Sequence, residues 1–299
     1  MPLTVIMAVG FLLKRCSVVS EDNFFVINRI IFYVGIPTLV FRSIVTSADG
    51  SGSRLFLALW LIGWVVLTFV LSQCIVPRFM KDPSRRGVVV QALSRSNDAV
   101  FGLAVATAMF GADNLGTMAF AVALTVPMFN ICGVAALEIN RGGKVHVGRI
   151  LWNIAKNPIV IAVVLAYAVR LIGITVPSVV MKPIGLLADL CTPLGFLVLG
   201  GILSFRSISE NRKPLFWVSL IKLIVLPLVV IAASLLVGFR GEELLAVLII
   251  FGAPTAMAGF PLACAMGGDG KLAGELVAIT TALSLPTMFI LLTVFGGWL

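Results

Sequence analysis

The sequence predicts an all-α integral membrane protein of about ten transmembrane helices in two inverted five-helix repeats. Three observations lead there. First, 60% of the residues are hydrophobic and only 12% charged, with a mean hydropathy of +1.12. That excludes an ordinary soluble domain, and runs long enough to cross a ~30 Å hydrocarbon core recur from end to end. Second, two apolar runs are interrupted in similar ways: Ser94-Arg95-Ser96-Asn97-Asp98 leading to Phe101-Gly102, and Gly252-Ala253-Pro254-Thr255 leading to Gly259-Phe260-Pro261. Third, Lys and Arg gather in alternate loops, the signature of a fixed orientation.

Taken in order, the spans fall near 2–13, 25–45, 55–76, 88–110, 115–137, 150–170, 183–204, 215–237, 244–266 and 276–297. The connections are short, with proline, glycine or charge at their ends. The first run is too short to span comfortably, so it is expected to tilt, to insert halfway, or to lack several leading residues. Lys14-Arg15 follow that run, whereas a cleavable signal has its basic residues in front. The second span carries Pro37 and opens on Asn28 and Arg29, expected as anchors at the inner interface. The fourth is the most polar, the seventh holds Asp189 ahead of Cys191-Thr192-Pro193, the eighth contains Lys222, and the ninth contains two prolines within eight residues.

Loops holding Lys14, Arg15, Arg78, Lys81, Arg85, Arg86, Arg141, Lys144, Arg149, Lys156, Arg206, Arg212, Lys213 and Lys271 define the cytoplasmic side. The other side has Arg42, Arg54, Arg170, Lys182 and Arg240. With ten spans, both termini lie outside the cytoplasm, in a multi-pass protein of the cell (inner) membrane. Pro37 matches Pro193 at an offset of 156 (193 minus 37), and Lys14/Arg170, Gly111/Gly267 and Asp113/Asp269 repeat it. Thr125-Val126-Pro127-Met128-Phe129 is echoed by Leu285-Pro286-Thr287-Met288-Phe289. Five spans per half, an odd number, make the halves enter the membrane from opposite sides. The repeats are expected over 1–140 and 141–299, as one membrane unit.

Glycine, proline and polar residues at mid-bilayer depth free backbone groups, which is tolerated only where they line a cavity. Paired interruptions in two halves therefore point to a binding site. In span four, Arg95 and Asp98 lie three apart, on one face of a helix, and could neutralise each other. They read either as a structural ion pair or as a functional pair, with Asp98 exchanging a proton and Arg95 or freed amides holding an anion; Asn97 and Gly102 break the helix beside them. In span nine, Pro254, Thr255, Gly259 and Pro261 either unwind the helix to offer amides to an anion or merely kink it. Asp189 with Thr192 could bind a cation or sit near the outer surface. Lys222 could counter an acidic group or snorkel.

The net charge of +9 is spread over short loops, so it sets topology and does not mark a nucleic-acid surface. The five cysteines are scattered without metal or disulfide spacing, and read as small buried hydrophobes. His146, the single histidine, lies in a basic loop. No paired-carboxylate, Ser/His/Asp, HExxH or Walker-type pattern is present, so no enzyme, metal or cofactor is expected.

At Ile27-Asn28-Arg29-Ile30-Ile31-Phe32-Tyr33-Val34-Gly35-Ile36-Pro37, Lys156-Asn157-Pro158, Thr192-Pro193-Leu194, Ala253-Pro254-Thr255-Ala256, Gly267-Gly268-Asp269 and Thr280-Thr281, the chain resembles the auxin efflux carrier family. That family of membrane transporters includes plant auxin exporters and bacterial malate or malonate permeases, and the likeness covers nearly the whole chain. It implies two inverted five-helix repeats in which broken helices four and nine cross near mid-membrane. It also implies a scaffold against which a transport part moves, and organic-anion transport by alternating access. The short loop between Glu138 and Arg149 resembles the prokaryotic members. The chain departs from the family in four places. Asp98 stands where a small or hydroxyl residue is usual, Ala104 replaces a crossover proline, Ala258 replaces a polar residue, and Pro261 is additional. A dicarboxylate is poorly served beside an ionised Asp98.

The expected function is secondary transport, in the export direction, of a small organic anion. Asn97, Asp98, Gly102, Pro254, Thr255, Gly259 and Pro261 are expected around the substrate, with Asp98, Arg95, Asp189 and Lys222 as coupling candidates. Expected partners are the anion, a proton (less so Na+), the lipid bilayer and, as an option, a second copy of the chain. The competing readings are a sodium-coupled symporter of the bile-acid type and a membrane receptor that binds without transport.

Overall fold

The computed structural model describes residues 2–46, 55–102, 105, 106, 109, 116–141, 148, 152, 155–202 and 209–298. The expectations at Ala104, Gly111, Asp113 and His146 lie outside these residues. In chain order the helices are α1 (Pro2–Arg15), α2 (Glu21–Ile30), α3 (Ile36–Val45), α4 (Leu55–Phe79), α5 (Pro83–Ser94), α6 (Gly116–Ile139), α7 (Pro158–Ile172), α8 (Ser178–Ile202), α9 (Arg212–Leu220), α10 (Leu226–Val237), α11 (Gly241–Gly252), α12 (Gly259–Ala265) and α13 (Gly270–Phe295). No strand occurs among the described residues. Six continuous helical stretches among them, from Asp22–Arg42 to Gly270–Phe295, are long and apolar enough to cross a membrane.

Several helices begin ahead of their apolar run. α5 starts at Pro83 where hydropathy places 88, and α13 at Gly270 where it places 276. The first turns of these two are polar and capped, which a hydropathy window cannot register. The Asp82 carboxylate accepts from the Ser84 amide at 2.9 Å with Pro83 at the first helical position. The Ser84 hydroxyl, then its amide and Arg85, hold the Asp82 carboxyl below its usual pKa. Asn157 caps α7 through the Ile159 amide (3.0 Å), and Asp269 caps α13 through the Leu272 amide (3.0 Å). Gly173 (φ 74°) and Gly238 (φ 102°) end α7 and α10 in the left-handed conformation that glycine adopts without strain.

Two wide π turns share one cause. Ile31–Gly35 joins α2 to α3 just ahead of Pro37, and Ile221–Val225 joins α9 to α10 just ahead of Pro227. Proline lacks an N–H and crowds the carbonyl four residues back, so one extra residue in the turn carries the helix past it unbroken. The amides of Ile36 and Leu226 accordingly bond five residues back, to Ile31 and Ile221.

The helices pack as two groups. α1, α2, α3, α7 and α8 lie chiefly against one another, and α4, α5, α6 and α9 to α13 form the other set. α1 approaches α8 closely at Gly10, where a Cβ would stand 1.9 Å from the Leu197 carbonyl oxygen. α11 is buried on every side from Leu244 to Gly252, so it runs through the middle of the second set.

Candidate functional site

Two helix ends meet inside the second set. α5 stops at Ser94 and Arg95 is extended (φ −119°, ψ 132°). α11 stops at Gly252, and Ala253 is extended (φ −66°, ψ 150°), as the ring of a following proline demands. Ser96 and Thr255 pair as a short antiparallel bridge, and the Asn97 amide donates to the Pro254 carbonyl at 2.8 Å. The Thr255 hydroxyl donates to the Ala92 carbonyl (3.0 Å), while its amide reaches Thr280 Oγ1 (3.3 Å). Gln91 Nε2 donates to the Gly259 carbonyl (2.8 Å), and a Cβ at Gly259 would stand 2.6 Å from that nitrogen. Each interruption thus satisfies polar groups that the other sets free.

Three charged side chains are buried at this junction: Arg95 (4% exposed), Asp98 (1%) and Lys222 (1%). Burying a charge is costly unless it is partnered, and each has partners. Arg95 Nη2 donates to Asn130 Oδ1 at 2.5 Å, and Asn130 is held in turn by the Val126 carbonyl (2.8 Å). The Thr125 hydroxyl donates to Asp98 Oδ2. Lys222 Nζ donates to Ser96 Oγ at 2.6 Å and to the Leu93 carbonyl at 3.4 Å, in the last turn of α5. The expectation that Arg95 and Asp98 share a helical face is corrected here. The helix ends at Ser94, so three-residue spacing no longer aligns them on a helix; both still line one cavity, with the Arg95 guanidinium bonded to Asn130 on α6. Lys222 does not snorkel, and Asn28, expected as an interfacial anchor, is 2% exposed.

A cavity of about 60 Å³ opens beside the junction, between the two helix sets. Arg95, Ser96, Asn97 and Asp98 form its polar wall with Asn130. α3 (Ile36, Leu39, Val40), Val126, Phe129, Thr192 and Ala256 to Ala258 supply the rest. Two donors in that wall, Arg95 Nη1 and Asn97 Nδ2, are buried without a hydrogen-bond partner among the described residues. Unsatisfied buried donors are rare in folded proteins. Gln73 Nε2 and Arg85 Nε are others among the described residues, but Arg95 and Asn97 are the two that line the cavity.

Of the residues expected around a substrate, Asn97 and Asp98 line this cavity. Pro254, Thr255 and Gly259 hold the junction together, and Pro261 is buried within α12. Gly102 sits against Met118 and Ile249, 2.9 and 3.0 Å from where its Cβ would be. Asp189 stands apart, in an ion pair with Arg42 at 2.7 Å with its side chain 67% exposed. Asn130 and Met257 were not among the expected residues. Asn130 is a lone amide in an apolar span, a signal that intramembrane polarity alone could have raised; Met257 carries no such signal. Among the cysteines, Cys132 and Cys191 are buried, whereas Cys16 and Cys74 are exposed.

A bundle of apolar helices with two of them unwound around a buried charged cavity is the architecture of a membrane transport protein. The sequence pattern of the membrane transport protein family matches residues 1–292, and the chain belongs to that family. It is similar to an uncharacterized transporter of Methanocaldococcus jannaschii, 25% identical over 99% of this chain and 96% of the relative. An uncharacterized transporter of Methanothermobacter thermautotrophicus is 26% identical over 95% of this chain and 93% of its own. The uncharacterized transporter YfdV of Escherichia coli is 25% identical over 88% and 86%.

Proposed function

We propose that the chain is a secondary transporter that exports small organic anions by alternating access, with Asp98 as the proton-coupling group. The observation that carries this reading is the pair of unsatisfied donors, Arg95 Nη1 and Asn97 Nδ2, on residues lining a cavity between the two helix sets. Donors without acceptors suit a carboxylate, which brings acceptors only. A cavity at the boundary between sets suits a mechanism in which one set shifts against the other and exposes the site to alternate sides. In this reading the helices form two inverted five-helix repeats in the inner membrane, with both termini outside the cytoplasm.

The sodium-coupled alternative needs oxygen ligands for Na+ at the crossing. Here the Ser96 hydroxyl and the Leu93 carbonyl already face the Lys222 ammonium, which favours the proton reading. The test is flux in proteoliposomes under an imposed pH gradient, wild type against Asp98→Asn. Gradient-driven flux that is lost in the mutant supports coupling through Asp98; unchanged flux removes Asp98 from that role.

A further inference from the structure

We propose that the three buried charges at the helix junction set the valence of the transported anion, so that the site takes a short monocarboxylate and rejects a dicarboxylate. The inference rests on the organic-anion reading above and specifies its substrate class. Arg95 and Lys222 contribute two positive charges and Asp98 one negative charge, all within one desolvated cluster. With Arg95 and Lys222 protonated and Asp98 ionised, these three described residues sum to one positive charge. In a low-dielectric site an uncompensated charge is strongly unfavourable, and one bound monoanion cancels it.

Geometry gives each charge a different task. Arg95 is a lining residue whose Nη1 is buried without a hydrogen-bond partner among the described residues, and in this proposal that nitrogen turns to the carboxylate when the substrate binds. Asn97, also a lining residue, holds a second buried donor, Nδ2, without a partner among the described residues. Lys222 does not line the cavity. It stands behind the polar wall, bonded to Ser96 and Leu93, and acts as a fixed positive charge that the substrate never touches. Asp98 lines the cavity with Arg95, held by Thr125. A second carboxylate on the substrate would find this like charge or the apolar residues of α3, Phe129 and Met257, with no further cation among the lining residues. The small cavity suits a short chain. The sum applies with Asp98 ionised; neutralising it raises the net charge to two and makes a dianion the better match, the state that Asp98→Asn imitates.

The test is substrate exchange in proteoliposomes without an imposed gradient, using radiolabelled pyruvate as the monocarboxylate and succinate as the dicarboxylate. Wild type is expected to exchange pyruvate at least about tenfold faster than succinate, one unit of charge in a partly screened site being worth at least that factor. Asp98→Asn is expected to erase or invert that preference. Lys222→Met, which brings the sum to zero, is expected to lower pyruvate affinity about tenfold, and Lys222→Arg to restore it. Because Lys222→Met removes two hydrogen bonds and could fail to fold, the Asp98→Asn selectivity shift is the deciding measurement. Equal or faster succinate exchange by wild type, or an unchanged preference in Asp98→Asn, overturns the proposal. Exchange of neither probe, with no thermal stabilisation of the purified protein by either, overturns the organic-anion reading itself.

Discussion

The Asn97 amide and the Pro254 carbonyl are 2.8 Å apart, and that single backbone bond ties two broken helices from opposite halves of the chain. Pro254 has no N–H of its own to satisfy, and the residue before it cannot continue the helix. Its carbonyl is therefore free to accept from the other broken helix. Polar, unwound backbone persists in this apolar bundle because each break serves as the other's hydrogen-bond partner.

Thr255 extends the tie from its side chain. Its hydroxyl donates to the Ala92 carbonyl, in the last turn of α5. Thr255→Val keeps the shape and removes the donor, so it is expected to cost about 0.5–1.5 kcal/mol, with the Ala92 carbonyl left buried. Thermal unfolding of purified protein measures it. Stability equal to wild type would mean that the bond contributes nothing to the junction.

The packing of α1 makes a sharper demand. At Gly10 a Cβ would lie 1.9 Å from the Leu197 carbonyl oxygen and 3.1 Å from the Gly201 amide nitrogen. Both are backbone atoms and cannot rotate aside. Gly10→Ala is expected to push α1 off α8 and destabilise the protein by about 1–3 kcal/mol, read as a lowered unfolding temperature in detergent. A methyl accommodated without loss would place α1 farther from α8 than the structure has it.

How much of this the sequence discloses depends on whether the signal is local. The interruptions at Asn97 and Pro254 are legible because proline and clustered polar residues contradict an apolar run wherever they occur. The shared helical face of Arg95 and Asp98 is misread because it presumes a helix at the very point where the chain leaves one. Asn130 is overlooked because one amide among apolar neighbours hardly moves a hydropathy window, although it meets the Arg95 guanidinium. The role of Gly10 is invisible in sequence, since it depends on a backbone atom of residue 197. The starts of α5 and α13 are placed late because their first turns are held by caps, not by apolar burial.

Lys222 yields a prediction about ions. Its ammonium holds the Ser96 hydroxyl and the Leu93 carbonyl, oxygen atoms of the kind that ligate Na+ where a membrane helix unwinds. A tethered cation there makes a diffusing one unnecessary. Substrate flux is expected to be the same, within about twofold (~0.4 kcal/mol), when Na+ is replaced by choline on both sides of the vesicle. Flux that requires Na+ would revive the sodium-coupled reading.

A polar cluster where the N-terminal ends of α5, α9 and α13 meet locks these helices of the larger set together. Glu275 on α13 is 3% exposed and accepts from Asn211 Nδ2 at 2.8 Å, while Asn211 Oδ1 accepts from Arg85 on α5. Arg85 also approaches Asp269 at 3.4 Å, and the Asp269 amide donates to the Ser84 carbonyl at 3.1 Å. Asn211 is the hinge pin, since its one amide group answers both a cation and a carboxylate. Asn211→Ala removes a hydrogen bond to a buried acidic side chain and is expected to cost about 1.5–3 kcal/mol. Glu275→Gln keeps an oxygen for Asn211 and is expected to be far milder. If Glu275→Gln proves as damaging in thermal unfolding as Asn211→Ala, the charge of Glu275, and not its acceptor oxygen, holds the cluster.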